Sequence, residues 1–167
     1  MVVNDIFRSE GVEPSGVELG EVTVAIEPDA QQLQHIQNKL EAVGFEILSD
    51  QKHKLLEKIK TTITETLQQD LSTLNINFSQ LLSSALHKDY SYLSKLFSES
   101  EGTTIEKFII DQKIDKVKEL LAYGEKTVNE IAYELGYSSV AHLSSQFKKV
   151  TGFTPSAFRK MKTHRFP

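Results

Sequence analysis

The sequence predicts a mainly α chain. An all-α half of about seven helices, built on helix-turn-helix units, follows a small α+β module. Three observations carry that prediction. From residue 75 onward, apolar residues recur at spacings of three and four, separated by short polar turns. Residues 127–149 join a capping box, a small apolar residue, a glycine and a second capped helix in the order a helix-turn-helix needs. Residues 13–27 alternate apolar and polar on either side of Gly20, the pattern of a hairpin. The expected divisions are a module over residues 1–49, a linker helix over 50–73 and the helical domain over 74–167.

In the first module, Val17 and Leu19 alternate with polar neighbours, as do Val22, Val24 and Ile26, and Gly20 between them can take the positive φ of a turn. Residues 29–43 place Leu33, Ile36, Leu40 and Val43 at helical spacing and end at Gly44. Phe45 to Leu48 reads as a short strand. Residues 50–71 form a second helical pattern, with Leu55, Leu56, Ile59, Ile63, Leu67 and Leu71 on one stripe. The stripe does not sustain a heptad pattern, so a helix packed on its own chain is preferred to a homodimer seam through residues 1–72.

Bulk properties narrow the class. Charged residues make up 25% of the 167, and no run of about 18 apolar residues exists to span a bilayer. The start, Met1-Val-Val-Asn-Asp, has no basic stretch ahead of an apolar core, so no secretory signal is expected and the cytoplasm is the default. The absence of cysteine excludes disulfides, thiolate metal sites and cysteine nucleophiles. The net charge of −4 is unevenly distributed. Residues 1–72 hold 6 Lys/Arg against 13 Asp/Glu, net −7, and residues 73–167 hold 13 against 10, net +3. No acidic residue follows Glu134, whereas Lys148, Lys149, Arg159, Lys160, Lys162 and Arg165 do. An acidic module joined to one that meets polyanions has this asymmetry, although a solvated basic face accounts for it equally well. No Gly-rich phosphate loop, nucleophile elbow or HExxH pattern is present, so an enzyme is not expected. His35, His53, His87, His142 and His164 have no metal-ligand spacing, and no cofactor is expected.

The helix-turn-helix follows from individual side chains. Thr127 can cap the first helix, with Glu130 completing a capping box. Val128, Ile131, Ala132 and Leu135 form its apolar face, and Ala132 is small enough for a second helix to cross closely. Gly136 supplies a left-handed turn, Tyr137 packs behind it, and Ser138 or Ser139 caps the second helix. Leu143 and Phe147 hold that helix to the core. Val140, Ala141, His142, Ser144, Ser145 and Lys148 form the opposite face, small and polar enough for a DNA major groove. Further on, Pro155 follows Thr154 as helix position and cap.

The series Val128-Asn-Glu-Ile-Ala-Tyr-Glu-Leu-Gly-Tyr, followed by Leu143-Ser-Ser-Gln-Phe-Lys-Lys-Val-Thr-Gly-Phe-Thr-Pro-Ser-Ala-Phe-Arg, closely resembles the AraC/XylS family of transcription regulators. The resemblance covers roughly residues 75–162. It implies a second, upstream helix-turn-helix, which maps to Phe78–Leu86 and Asp89–Phe97. There Leu93, Leu96 and Phe97 would be buried, and Ser91, Tyr92, Ser94 and Lys95 would face DNA. A long helix over residues 104–122 would join the halves, with Ile105, Phe108, Ile109, Ile114, Val117, Leu120 and Leu121 inward. Two positions depart from the family pattern: His87-Lys88 stands where a glycine is usual, and Lys113 where arginine is favoured.

The resemblance implies a sequence-specific double-stranded-DNA binder that lies across two successive major grooves. Activation is the favoured mode, with RNA polymerase a partner. Lys95, the only long donor on the upstream face, is the candidate for guanine or phosphate, and Val140 and Ala141 for a thymine methyl. His142 can donate or accept. Lys148, Lys149 and Arg159 are candidates for phosphate. An ordinary exposed helix residue is the even alternative for each serine; for Leu143, Phe147 and Phe158 the core reading wins. The rival class is a non-DNA interaction or metal-handling adaptor whose helical half docks a partner.

The module over residues 2–48 reads helix, strand, strand, helix, strand, and its end resembles the ferredoxin-like heavy-metal-associated domain. That family's two-cysteine metal loop and first strand have no counterpart here, which leaves a strand at Phe45–Leu48 without its neighbour. Three readings stand: a fragment with a late start, which is preferred; a strand-swapped dimer; or a partly disordered module.

Overall fold

The computed structural model describes residues 1–72 and 74–164, with side chains as far as Lys162. Arg165 of the basic tail lies outside the described residues. The chain forms two compact units, Met1–Lys54 and Leu55–Pro167.

The first unit is helix, hairpin, helix: α1 (Val2–Ser9), β1 (Pro14–Glu18), β2 (Glu21–Val24) and α2 (Ala30–Ala42). β1 and β2 pair antiparallel, with Val17 opposite Val22 and Glu18 opposite Glu21 across a two-residue turn at Leu19-Gly20. Asp29 caps α2, its carboxylate accepting from the Gln32 amide at 2.8 Å while the Gln32 side chain accepts from the Asp29 amide at 3.0 Å. Phe7, Val12, Ile36 and Leu40 form a small buried core, with Val22, Val24 and Ile47 against it. The strand expected at Phe45–Leu48 does not form. Among the described residues the sheet has only β1 and β2, so no neighbour accepts its backbone hydrogen bonds. Its first amide is already used, because Phe45 N–H donates to the Leu40 carbonyl at 2.9 Å and closes the end of α2.

The stripe of residues 50–71 lies mostly on α3 (Asp50–Leu67), where Leu56, Ile59, Ile63 and Leu67 are buried within the chain itself. The helix ends before Leu71, which is buried all the same: its amide donates to the Glu134 carbonyl at 2.9 Å.

The remainder of the second unit is helical: α4 (Phe78–Leu86), α5 (Tyr90–Glu101), α6 (Ile105–Tyr123), α7 (Val128–Glu134), α8 (Val140–Thr151) and α9 (Pro155–His164). α6 serves both halves. Ile105 and Ile109 are buried near its start, and Ile114, Val117 and Leu121 join Ile131, Ala132, Leu135, Leu143 and Phe147 in one core toward its end. Burying this many aliphatic and aromatic side chains is the main stabilising term of the unit, at roughly 1.5–3 kcal/mol each. Phe108 and Leu120, expected inward, are half-buried.

The turn between α4 and α5 is made without a glycine. His87 itself takes the left-handed conformation, φ 53° and ψ 41°, at the end of α4. A side chain there costs about 1–2 kcal/mol, less the entropy that a glycine would lose. His87→Gly is therefore expected to stabilise the protein by about 0.5–1 kcal/mol, seen as a melting temperature raised by roughly 1–4 °C. A lower melting temperature would mean that the His87 side chain stabilises the turn in another way.

Candidate nucleic-acid interface

Both expected reading helices form, and each buries one face. On α5, Leu93, Leu96 and Phe97 are buried, whereas Ser91, Tyr92 and Lys95 are exposed and Ser94 is half-buried. The Lys95 ammonium lies 4.0 Å from Glu99, one turn on along the same helix. On α8, Leu143 and Phe147 are fully buried, Ala141, His142, Ser145, Lys148 and Lys149 are exposed, and Ser144 is half-buried. Val140 is placed differently from the expectation of an open face: it is half-buried and packs against the downstream core.

Local chemistry explains why these helices start and turn where they do. Thr127 and Glu130 form the reciprocal capping box of α7, both bonds at 3.2 Å. Gly136 takes φ +72°, and the Tyr137 amide then reaches back to the Ala132 carbonyl at 2.9 Å. Ser139, rather than Ser138, caps α8, its hydroxyl accepting from the His142 amide at 3.0 Å. Ser138 is placed to fix the His142 ring, its hydroxyl lying 3.2 Å from Nδ1. That contact leaves Nε2 as the nitrogen available to a ligand.

Sequence reasoning put Tyr137 behind the Gly136 turn but missed the partners that it gathers there. The Tyr137 hydroxyl donates to Gln146 Oε1 at 2.7 Å. Its ring meets the His142 ring edge to face at 5.3 Å, and the Lys113 ammonium lies 5.3 Å from the Tyr137 centroid. Burial pushes the Tyr137 hydroxyl above, and the Lys113 ammonium below, their ordinary pKa ranges. Lys113, read from sequence as a weaker substitute for arginine, thus has an aromatic partner that needs no bidentate geometry. The only sequence signal of these partners was the i, i+4 spacing of His142 and Gln146 on α8.

Arg159 faces inward. Its Nε donates to the Leu121 carbonyl at 3.4 Å and its second guanidinium nitrogen donates to the Lys126 carbonyl, which ties α9 to the end of α6. Lys148 and Lys149, in the last turn of α8, remain the open cations of that helix. Lys162 is drawn over the Phe158 ring, 5.6 Å from its centroid.

Two helix-turn-helix units, each leaving a polar face exposed on its second helix, define a double helix-turn-helix domain. Comparison with known proteins agrees. Residues 82–161 match the family described as a helix-turn-helix domain. The transcriptional regulator YfiF of Bacillus subtilis, itself uncharacterised, is 31% identical over 107 residues, which is 64% of this chain and 32% of that protein. The C-terminal domain of the two-component response regulator yesN from Fusobacterium nucleatum is similar in structure, with a TM-score of 0.53 and 28% identity over 62% of this chain and 95% of that one. The DNA-binding domain of AdpA, a global transcriptional factor solved with a target DNA, has a TM-score of 0.58 at 20% identity, over 67% of this chain and 96% of that one, a likeness of fold. Residues 82–161 thus match a helix-turn-helix domain, and this part of the chain is similar to transcriptional regulators of other bacteria. The chain spans about a third of the length of the Bacillus relative, at 32%. No helix among the described residues is long and apolar enough to cross a membrane.

Proposed function

We propose that this chain is a sequence-specific, double-stranded-DNA-binding transcription regulator that reads two successive major grooves through α5 and α8. The observation that carries the reading is that each helix follows a tight turn, buries its leucine and phenylalanine face, and leaves a small polar face open. An apolar docking helix would leave the opposite kind of face exposed. Two reading helices in one chain let a monomer cover both half-sites, with centres about 34 Å apart along the duplex. Lys95 and His142 with its open Nε2 are assigned to base edges, aided by Ser91, Tyr92, Ala141, Ser144 and Ser145, while Lys148 and Lys149 are assigned to phosphates. Activation, with RNA polymerase as partner, is the mode that the family resemblance favours, and the cytoplasm is the default compartment of a chain that needs no disulfides. The helix-hairpin-helix order of the first unit supports kinship with the heavy-metal-associated fold, without thiolate metal binding, since the chain has no cysteine.

Selection of random duplexes by the purified protein at near-physiological salt tests this. Enrichment of a two-part motif about one helical turn apart is the expected result. Salt-sensitive binding without enrichment would reduce the protein to a non-specific binder, and no binding would favour the partner-docking adaptor. Lys95→Ala and His142→Ala should each shift the enriched sequence, at about 1–3 kcal/mol of discrimination per lost base contact, and leave the melting temperature within about 1–2 °C of the parent. An unchanged motif with both variants would remove these two residues from base reading.

A further inference from the structure

The two helix-turn-helix units repeat at an offset of 50 residues. Leu93 corresponds to Leu143, Phe97 to Phe147, Gly102 to Gly152, the cap Thr104 to Thr154, and Phe108 to Phe158. The correspondence holds in space. Phe97 meets Phe108 edge to face at 5.5 Å, and Phe147 meets Phe158 edge to face at the same 5.5 Å. α5 and α8 both have 12 residues and both end at a left-handed glycine whose amide returns to the residue four before it, Ser98 in one and Lys148 in the other. Positions in the two helices can therefore be compared directly.

They differ in charge where backbone contacts are expected. Lys148 and Lys149 on α8 stand where α5 has Ser98 and Glu99. Glu99 is well exposed, at 64% of its side chain, so no packing role requires it, and it also lies 4.0 Å from Lys95, the one long cation of the upstream face. A carboxylate in the place of a phosphate-binding lysine adds repulsion that does not depend on DNA sequence.

We infer that the two units divide the work of binding: α8 anchors the DNA backbone, and Glu99 is a specificity-determining residue that opposes engagement of α5 unless base contacts offset it. This rests on the DNA-binding reading above. Specificity is a difference of affinities, and a uniform repulsion in one half removes sites where that half would bind by charge alone. The upstream helix then engages only where the contacts from Ser91 to Lys95 are satisfied.

The test measures binding of the whole chain to a selected duplex and to a scrambled one across a range of salt. Each phosphate neutralised contributes a slope of about −0.9 in log affinity against log salt, equivalent to about fivefold in affinity near 0.15 M relative to 1 M. Glu99→Lys is expected to raise affinity for scrambled DNA by about fivefold or more, steepen the slope by about 0.9 and lower the ratio of selected to scrambled binding. Glu99→Gln, which releases Lys95 without adding a cation, should give a smaller gain and little change of slope. Lys149→Glu should weaken binding to both duplexes. If Glu99→Lys left scrambled affinity and slope at parent values while Lys149→Glu weakened both, the upstream helix would not lie against phosphate, and the inference would fail with DNA binding intact. If the parent bound neither duplex, the DNA-binding reading would fail and the inference with it; if the parent bound but Lys149→Glu changed nothing, α8 would not anchor the backbone through this lysine, and the inference alone would fail. Glu99 and Lys149 are exposed, and an unchanged melting temperature verifies that each variant is folded.

Discussion

Replacing Phe147 by alanine is expected to lower the melting temperature of the protein by roughly 6–20 °C and to abolish DNA binding at moderate temperature. Phe147 is fully buried in the downstream core, among Ile114, Val117, Leu121, Ile131 and Leu143. Truncating such a phenylalanine costs about 3–5 kcal/mol, because the apolar surface lost from the core and the cavity left behind act in the same direction. The edge-to-face contact with Phe158 at 5.5 Å is lost as well. A loss of this size is a large part of the 5–15 kcal/mol typical of a whole domain. Phe158→Ala removes the same ring contact from a half-buried residue and should cost clearly less. Thermal unfolding followed by helical circular dichroism distinguishes the two. Equal losses would mean that the ring pair, rather than burial of Phe147, holds α8 in place.

The sequence was most informative where the signal is local. The Thr127–Glu130 box, the Gly136 turn and the hairpin about Gly20 all lie within a few residues of the groups they organise, and all form, although Leu19 and Ile26 of the expected alternation fall outside the strands and are exposed. The buried face of α8 was legible for the same reason, since their spacing of four puts Leu143 and Phe147 inward, whereas Leu93, Leu96 and Phe97 of α5 were read through the family resemblance and are buried as it implies. What was not legible depends on partners far along the chain. Arg159 reads as one more cation of a basic tail, but its guanidinium donates to the carbonyls of Leu121 and Lys126, 38 and 33 residues earlier. A polar donor that can satisfy carbonyls near the end of α6 is drawn inward, and no pattern in residues 155–162 signals it. The strand expected at Phe45–Leu48 failed for a related reason: β propensity is local, but a strand exists only if a neighbour accepts its hydrogen bonds. Leu71 is a third case. Its periodicity suggested the continuation of α3, yet it lies beyond the helix and packs on the turn of the downstream unit, where a Cβ on Gly136 would meet it at 3.5 Å.

Ala132→Leu tests the turn itself. Ala132 is 3% exposed, in the same core as Ile131, Leu135 and Leu143, and its carbonyl accepts the Tyr137 amide that closes the turn. Leucine adds three carbons to a site already filled, so either the added atoms force side chains off their rotamers or α7 moves away from α8. The expected cost is about 1–3 kcal/mol, a fall of roughly 2–12 °C in melting temperature. Affinity for DNA should fall by more than this stability loss explains at a temperature where the variant is still folded. α8 is held to the core through Leu143 and Phe147, and displacing it moves His142 and the two lysines away from the contacts assigned to them. Ala132→Gly removes volume instead of adding it, at a helix-propensity cost of about 1 kcal/mol, and should spare binding by the folded fraction. If Ala132→Leu kept both its melting temperature and its affinity, α7 and α8 would not need close approach at this position, and the packing that positions α8 would have to reside elsewhere.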